Sequence, residues 1–388
     1  MRWIPSRWIG WWRQMVGARR PSGRLAGALA AIAIIGMATA WAVVSAHDLR
    51  SQAGKDRREV ARMTAYMKPT CVGRFVIELP AYAEAKLTMA NVDGLDIATR
   101  LESLADFQTR LADREAELRA TPDRLDGDMN LELVMPIKTA NGLFGKIFLY
   151  GRVVTEGTQA NGLAIEGYRY EGIAVDALVH GSGVSIDLTA DAYQPARTHQ
   201  VAQLISQLVP NPENEIPPET GFCLDHAYFR GLLNPDQAER ITMNARLTSH
   251  PDIAFTLKLA AGVEPDAKGL IARTAESWER MPLMDRARLA TLRAGQRIVG
   301  CLIGEEVVER VVESDTVAVH SFWWEFNGTV DDVMAPHFSF TMDTGVGDRG
   351  PVPASLSDSR AVLLWDQISS SIHALASKCS PSAQRTGT

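Results

Sequence analysis

EGYRYEGIAVDALVHGSGVSIDLTAD (residues 166–191) and HSFWWEFNGTVDDVMAPHFSFTMDTG (residues 320–345) set the expected fold. Each reads as strand, turn, strand, with a helix some five to fifteen residues on. In the first, 173–179 and Val184 to Ala190 are apolar runs separated by Gly181-Ser182-Gly183, a turn signal. In the second, 317–326 and 337–342 take the same places. The residues hardly match, yet the element order does. That order predicts two similar α+β domains, each an antiparallel sheet with helices packed on one face.

Working outward, the same plan extends through both halves. CVGRFVIELP, from Cys71 to Pro80, alternates Val72, Phe75 and Ile77 with polar residues and reads as a half-buried strand, with Lys86 to Val92 as its hairpin mate. Leu101, Leu104, Leu111 and Leu118 recur at helical spacing. Strands are expected at 130–136, 144–153 and 163–169, with turns at Asn141-Gly142 and Asn161-Gly162. A helix then opens at Pro195 and carries Val201, Leu204, Ile205 and Leu208. PNPENEIPPET, residues 210–220, has four prolines and no periodicity, which reads as an inter-domain linker. Beyond it, CLDHAYFRG from Cys223 reopens the pattern and Ile253 to Leu259 alternates as a strand. Helices are expected on Leu270, Ile271, Thr274 and Trp278, and on Leu283, Leu289 and Leu292. Strands at 296–303 and 305–312 follow, and a last helix capped by Ser357 carries Val362, Trp365, Ile368, Ile372 and Leu375. The expected domains are therefore 69–209 and 221–379, with a disordered tail at 380–388.

The N-terminus is of another kind. Leu25 to Ala46 is an uncharged apolar run, and about 22 residues at about 1.5 Å each span a bilayer core of about 30 Å. Residues 1–24 hold six arginines (Arg2, Arg7, Arg13, Arg19, Arg20, Arg24) and no acidic residue, which keeps them cytoplasmic and sends the rest across. Val44-Ser45-Ala46 is a cleavage-type site, while the length of the run and its flanking tryptophans favour a retained anchor. Either way residues 47–388 share one compartment, the periplasm. Residues 47–68, polar and without a sustained apolar face, read as a tether.

Setting the six arginines aside takes the formal net charge from -6 to -12 for the exported part. That excludes nucleic acid and anionic lipid as natural partners and would steer in a basic one. Cys71, Cys223, Cys301 and Cys379 all lie beyond the apolar run, an even count that permits two disulfides in three connectivities. At least one bridge is expected, with Cys301–Cys379 the preferred pair in the second domain.

Chemical motifs are missing. G-x-S-x-G, HExxH and the phosphate-binding P-loop do not occur, and no histidine has a partner at i+3 or i+4. Gly345-Val346-Gly347-Asp348-Arg349-Gly350 fits G-x-G-x-x-G, but Pro351 and Pro353 follow where a phosphate-binding helix would begin, so it reads as a loop. No catalytic residue, cofactor or metal is expected; the chain reads as a binder. Glu305, Glu306, Asp331 and Asp332 are acidic candidates for partner contact, although adjacent carboxylates are more often solvated surface. Trp323 is the aromatic candidate: on a strand, Phe322 and Trp324 share one face and Trp323 points to the other.

CVGRFVIELPAYAEA at 71–85, GFCLDHAYFRG at 221–231, GCLIGEEVVER at 300–310, FTMDTG at 340–345 and LSDSRAVLLWDQISSSI at 356–372 together resemble the two-domain immunity proteins of type VI secretion lipase effectors. The resemblance runs over about residues 70–379. It implies a periplasmic protein, free or tethered to the inner membrane, whose two α+β domains grip and block a phospholipase toxin. Interface residues do not transfer, because such surfaces diverge with their partners. The competing reading from the residues alone is an anchored periplasmic enzyme or envelope-maintenance domain.

Overall fold

The computed structural model describes residues 50–122, 130–162, 164–232, 237–314, 317–330 and 332–375. The basic segment, the apolar run at 25–46, Asp331, Cys379 and the tail lie outside them. Among the described residues no helix is long and apolar enough to cross a membrane. Residues 50–63 are helical (α1) rather than an irregular tether, and Val60 and Met63 at its end are buried. From Val60 onward the chain forms one compact unit.

The first half of that unit runs β1 (Met67–Val72), β2 (Phe75–Pro80), β3 (Ala83–Val92), β4 (Leu95–Leu101), α2 (Leu104–Ala120), β5 (Leu131–Lys138), β6 (Phe144–Asn161), β7 (Ala164–Gly181) and β8 (Val184–Tyr193). A 3-10 turn at Pro195–Arg197 leads into α3 (Thr198–Gln207), and β9 (Leu208–Pro210) closes the half. The second half runs β10 (Gly221–Leu224), β11 (Ala227–Arg230), β12 (Glu239–Leu247), β13 (His250–Ala261), α4 (Leu270–Arg280), α5 (Leu283–Arg286), β14 (Leu289–Val299), β15 (Leu302–Ser314), β16 (Val317–Phe326), β17 (His337–Thr344), α6 (Asp358–Ser369) and β18 (His373–Ala374).

The element order repeats. β3-β4-β8-β7-β6-β5 in the first half has the same neighbour order as β12-β13-β17-β16-β15-β14 in the second. The two stretches quoted at the outset fall on β7–β8 and on β16–β17. The sheets are not separate, however. β3 pairs antiparallel with β12, from Ala83↔Leu247 to Val92↔Glu239, so both halves share one sheet of twelve strands. Two separate sheets would each have left an edge strand with unpaired N–H and C=O groups; joining them satisfies both.

The linker expectation is corrected in the same way. β9, at the end of the first half, pairs with β11 of the second, and β18, at the end of the second, pairs with β2 of the first. The halves thus exchange their closing strands. Residues 211–220 are irregular but pinned: Asn211 Nδ2 donates to the Glu215 carbonyl at 2.7 Å, and His226 N donates to Asn214 Oδ1 at 2.6 Å.

Cys71–Pro80 is a hairpin rather than one strand, turning at Gly73-Arg74. Gly73 has a φ of +54°, and a Cβ there would come within 2.9 Å of Leu259, so the turn needs glycine. At that point the two opening hairpins meet: Gly73 N donates to the Cys223 carbonyl and Cys223 N to the Gly73 carbonyl. Cys71 and Cys223, at matching places in the two hairpins, form a disulfide. Cys301 is also disulfide-bonded. Beside this junction Arg74 Nε donates to Glu239 at 2.8 Å, and both side chains are 2 % exposed. Burial alone pushes the Glu239 carboxyl up, against the pull of Arg74.

Helices cover both faces of the sheet, not one. α3 and α6 pack on the face that carries the main core, where Trp365 stacks on Phe340 at 4.9 Å and lies 5.5 Å from Phe322. α2 sits on the opposite face, with Phe107 and Leu118 against Leu131, Phe148 and Leu178. Strand alternation makes this possible: Val175, Ala177 and Val179 join the main core while Leu178 faces α2. Leu101 and Leu104, expected on the buried side of that helix, are exposed, because β4 ends at Leu101 and α2 begins only at Leu104. Leu289 and Leu292 belong to β14, since the second expected helix is the single turn α5. Ile372 and Leu375 lie past the end of α6.

Candidate partner-binding surfaces

The acidic pair Glu305-Glu306 splits across the sheet, as adjacent residues on a strand must. Glu305 Oε2 accepts from Ile271 N at 2.7 Å, so this carboxylate caps α4 at its positive end. Glu306 is 2 % exposed, ion-paired to Arg293 and Arg297, and accepts from Trp365 Nε1 at 2.6 Å. It has no surface to offer a partner, which corrects its reading as a contact residue. A buried carboxylate survives there because two guanidinium groups and an indole N–H replace its water. Asp332 is exposed, and its Oδ1 accepts from Met334 N at 2.9 Å in a local turn.

Trp323 lies on the face opposite Phe322 and Trp324 and is 39 % exposed, while those two are fully buried. Its Nε1 donates to Ser339 Oγ at 3.0 Å. With Trp278, Arg273 and Glu309 it lines a groove of about 340 Å³ between α4 and the sheet. Trp278 Nε1 donates to Glu309 Oε1 at 2.9 Å across that groove. The second half therefore presents a partly open aromatic site where the first half is closed by α2. There Arg110 bridges Glu102 and Asp187, and Arg114 reaches Asp176 and the Tyr150 hydroxyl. Arg110 and Ser185 hold the Glu102 carboxyl below its ordinary range, whereas burial pushes Asp187 up in spite of the neighbouring arginines.

Asp266, Glu325 and His337 bring three donor atoms within 4.8 Å of one another. Arg273 already fills the charge role, with Nη1 3.0 Å from Asp266 and Nη2 2.7 and 2.8 Å from the Glu325 oxygens. The cluster is an ion-pair network anchoring α4 to β16, and its donor set gives a cation little unspent charge.

One surface was not foreseen from the sequence. β5 last pairs with β6 at Leu131↔Tyr150, and β8 last pairs with β7 at Ile173↔Tyr193. Beyond these points β6 and β7 continue without a neighbouring strand among the described residues for nine residue pairs, from Val153↔Gly172 to Asn161↔Ala164. At about 3.4 Å per residue this ribbon is about 30 Å long. Its faces differ. Glu156 and Arg169 sit opposite each other and are ion-paired, and Arg169 also reaches Glu171. The other face carries Val153, Thr155, Tyr168 and Tyr170, with the tyrosine rings 5.2 Å apart and Tyr170 63 % exposed. A Cβ on Gly157 would stand 2.6 Å from Tyr168 Cζ, so this glycine makes room for the ring. The expected separate strands at 144–153, 163–169 and 173–179 are corrected to two long ones, which pair through Gly157, Gly167 and Gly172. The Asn161-Gly162 turn is the sequence signal for a hairpin, but it does not say how far the two strands run on either side.

Comparison with known proteins agrees with the repeat. The family model for the N-terminal domain of Tle cognate immunity protein 4 matches residues 68–175, and that for its C-terminal domain matches residues 215–374. No curated protein matches the sequence. Among solved structures, the immunity protein TplEi of the type VI secretion system of Pseudomonas aeruginosa is similar in its apo form at 24 % identity and a TM-score of 0.65, over 80 % of this chain and 98 % of that one. The same protein complexed with an "L" peptide is 23 % identical, with a TM-score of 0.63 over 80 % and 99 %. The immunity protein fold also matches in the crystal structure of a Tle4-Tli4 complex, at 23 % identity and a TM-score of 0.65 over 80 % and 98 %. With both family models in order over more than half its length, the chain belongs to the Tle cognate immunity protein 4 family, and it is an immunity protein rather than an enzyme.

Proposed function

We propose that this protein binds a cognate type VI secretion lipase effector in the periplasm and blocks its attack on phospholipid, protecting the cell and its siblings. The observation that carries this reading is the match of both family domains, in order, to two halves that repeat one topology. The disulfide between Cys71 and Cys223 supports an oxidising compartment. In the same reading residues 25–46 hold the protein at the inner membrane, residues 69–209 and 221–379 act as its two domains, and Cys301 pairs with Cys379. Trp323 supplies an aromatic contact at the α4 groove, and Glu305, Asp331 and Asp332 supply acidic ones.

Co-expression tests the function. A cell whose periplasm receives the lipase effector encoded beside the gene should survive with the full chain and die with a form lacking residues 1–46, which stays in the cytoplasm. In vitro, the purified full chain should abolish phospholipid hydrolysis at near-equimolar ratio. Full lipase activity in the presence of saturating protein, or equal protection by the cytoplasmic form, refutes the reading.

A further inference from the structure

The internal repeat supplies a control for the β6–β7 ribbon. In the second half the matching hairpin, β15–β16, runs only two pairs past the end of β14, at Val312↔Ala318 and Ser314↔Val317. Its free edge is covered there, since Ala354 N donates to the Ala318 carbonyl at 3.1 Å. The same topology is thus complete without an arm, and the further length of the ribbon in the first half serves something other than folding. A two-stranded ribbon on its own is marginal in water, and this one carries Gly157, Gly167 and Gly172 besides. Among the described residues it leaves two backbone edges unpaired, which chains normally cover or blunt.

Charge and area together choose the occupant. Most of the arm's ionised side chains are paired: Arg152 with Glu132 and Glu171, and Arg169 with Glu156 and Glu171, while Glu166 accepts from the neutral Asn161 Nδ2 at 3.2 Å. That leaves the base of the tyrosine face, with Val153, Thr155, Tyr168 and Tyr170, uncharged, while Glu166 stands nearer its tip, so the base suits an apolar surface. A face about 30 Å long and two strands, or about 10 Å, wide presents about 300 Å². Two copies of the chain stacked by this face would bury only about 600 Å² in total, less than the about 1,000 Å² a specific interface needs. A groove that takes both faces of the ribbon doubles this and clears the threshold. An enzyme that admits lipid must offer a concave, apolar route to its reacting groups.

We propose that the β6–β7 arm seats in a groove of the cognate lipase effector whose apolar wall meets the Tyr168 and Tyr170 face, with these two as its anchoring side chains. This rests on the function proposed above and adds which element enters the partner. The tyrosines suit the role, since each offers a large rigid ring with a polar tip at little cost in side-chain freedom.

The test measures binding of the full chain to the purified effector encoded beside its gene, by calorimetry, with thermal unfolding in parallel. Tyr168→Ala/Tyr170→Ala should weaken binding at least 100-fold with the melting temperature within about 2 °C of the parent, because Tyr170 is 63 % exposed and both rings lie outside the hydrophobic cores. Tyr168→Phe/Tyr170→Phe should restore most of the affinity. A second variant, with residues 155–170 replaced by Asn-Gly, should fold and fail to inhibit. Parental affinity in either the alanine or the shortened variant overturns the arm while leaving the proposed function standing. A parent chain that does not bind the effector overturns both. A parental dimer lost in the alanine variant would assign the face to a second copy and overturn the proposal as well.

Discussion

The bridge between Cys71 and Cys223 joins equivalent points of the two opening hairpins, with a sequence separation of 152 residues. In the chain-entropy account, a closed loop of that length removes about 17 cal/mol/K from the unfolded ensemble, about 5 kcal/mol at 25 °C. The unit it staples runs from Val60 to Thr388. At about 2.1 cal/mol/K per residue, about 330 residues give an unfolding entropy near 0.7 kcal/mol/K, so the loss corresponds to about 7 °C in Tm. Cys71→Ser/Cys223→Ser should therefore melt about 7 °C lower in a calorimetric scan under oxidising conditions. The fold should survive, because β9–β11, β18–β2 and β3–β12 still tie the halves together. A double variant that melts within about 2 °C of the parent would show that the loop is already closed in the unfolded state.

Four further outcomes follow from buried and paired charge. Glu239→Gln strands the Arg74 guanidinium in the junction and should cost about 3–5 kcal/mol in urea unfolding; a change below about 1 kcal/mol would mean that water reaches the pair. Glu306→Ala should be similarly damaging, about 3–5 kcal/mol, since it leaves Arg297 only the Asp366 carboxylate at 3.2 Å and orphans the buried Trp365 indole N–H. Glu305→Ala removes only a helix-end carboxylate and should cost about 1 kcal/mol; equal effects from the two would refute the assignment of one to the core and the other to a cap. The α2 clamp should loosen in acid. Arg110 holds Glu102, and Lys146 holds Glu115, below the ordinary carboxylate value of 4.5, so their contribution is fully present above that pH and is lost as pH falls below it. Asp187, pushed up by burial, opposes part of this. Hydrogen exchange of α2 amides that stays constant from pH 6 to pH 3.5, after correction for the intrinsic rate, would contradict the linkage.

The sequence by itself determined the local and the repeated features. Alternation placed Phe322 and Trp324 on one face and Trp323 on the other, which burial bears out, because side chains on a strand alternate whatever the strand packs against. The order of strands, turns and helices was legible twice over, so the repeat and the resemblance could be read without coordinates. Tertiary structure alone decided how the halves combine. Pairing of β3 with β12, exchange of β9 and β18, and union of Cys71 with Cys223 are contacts between residues far apart in the chain, and no local pattern encodes them. The same holds for Glu305 and Glu306, identical and adjacent in sequence. One caps α4 and the other neutralises two arginines in the core, because the sheet turns neighbouring side chains towards different surroundings. The arm escaped for a related reason: where β5 and β8 stop pairing, and so where β6 and β7 stand free, is a property of the neighbouring strands.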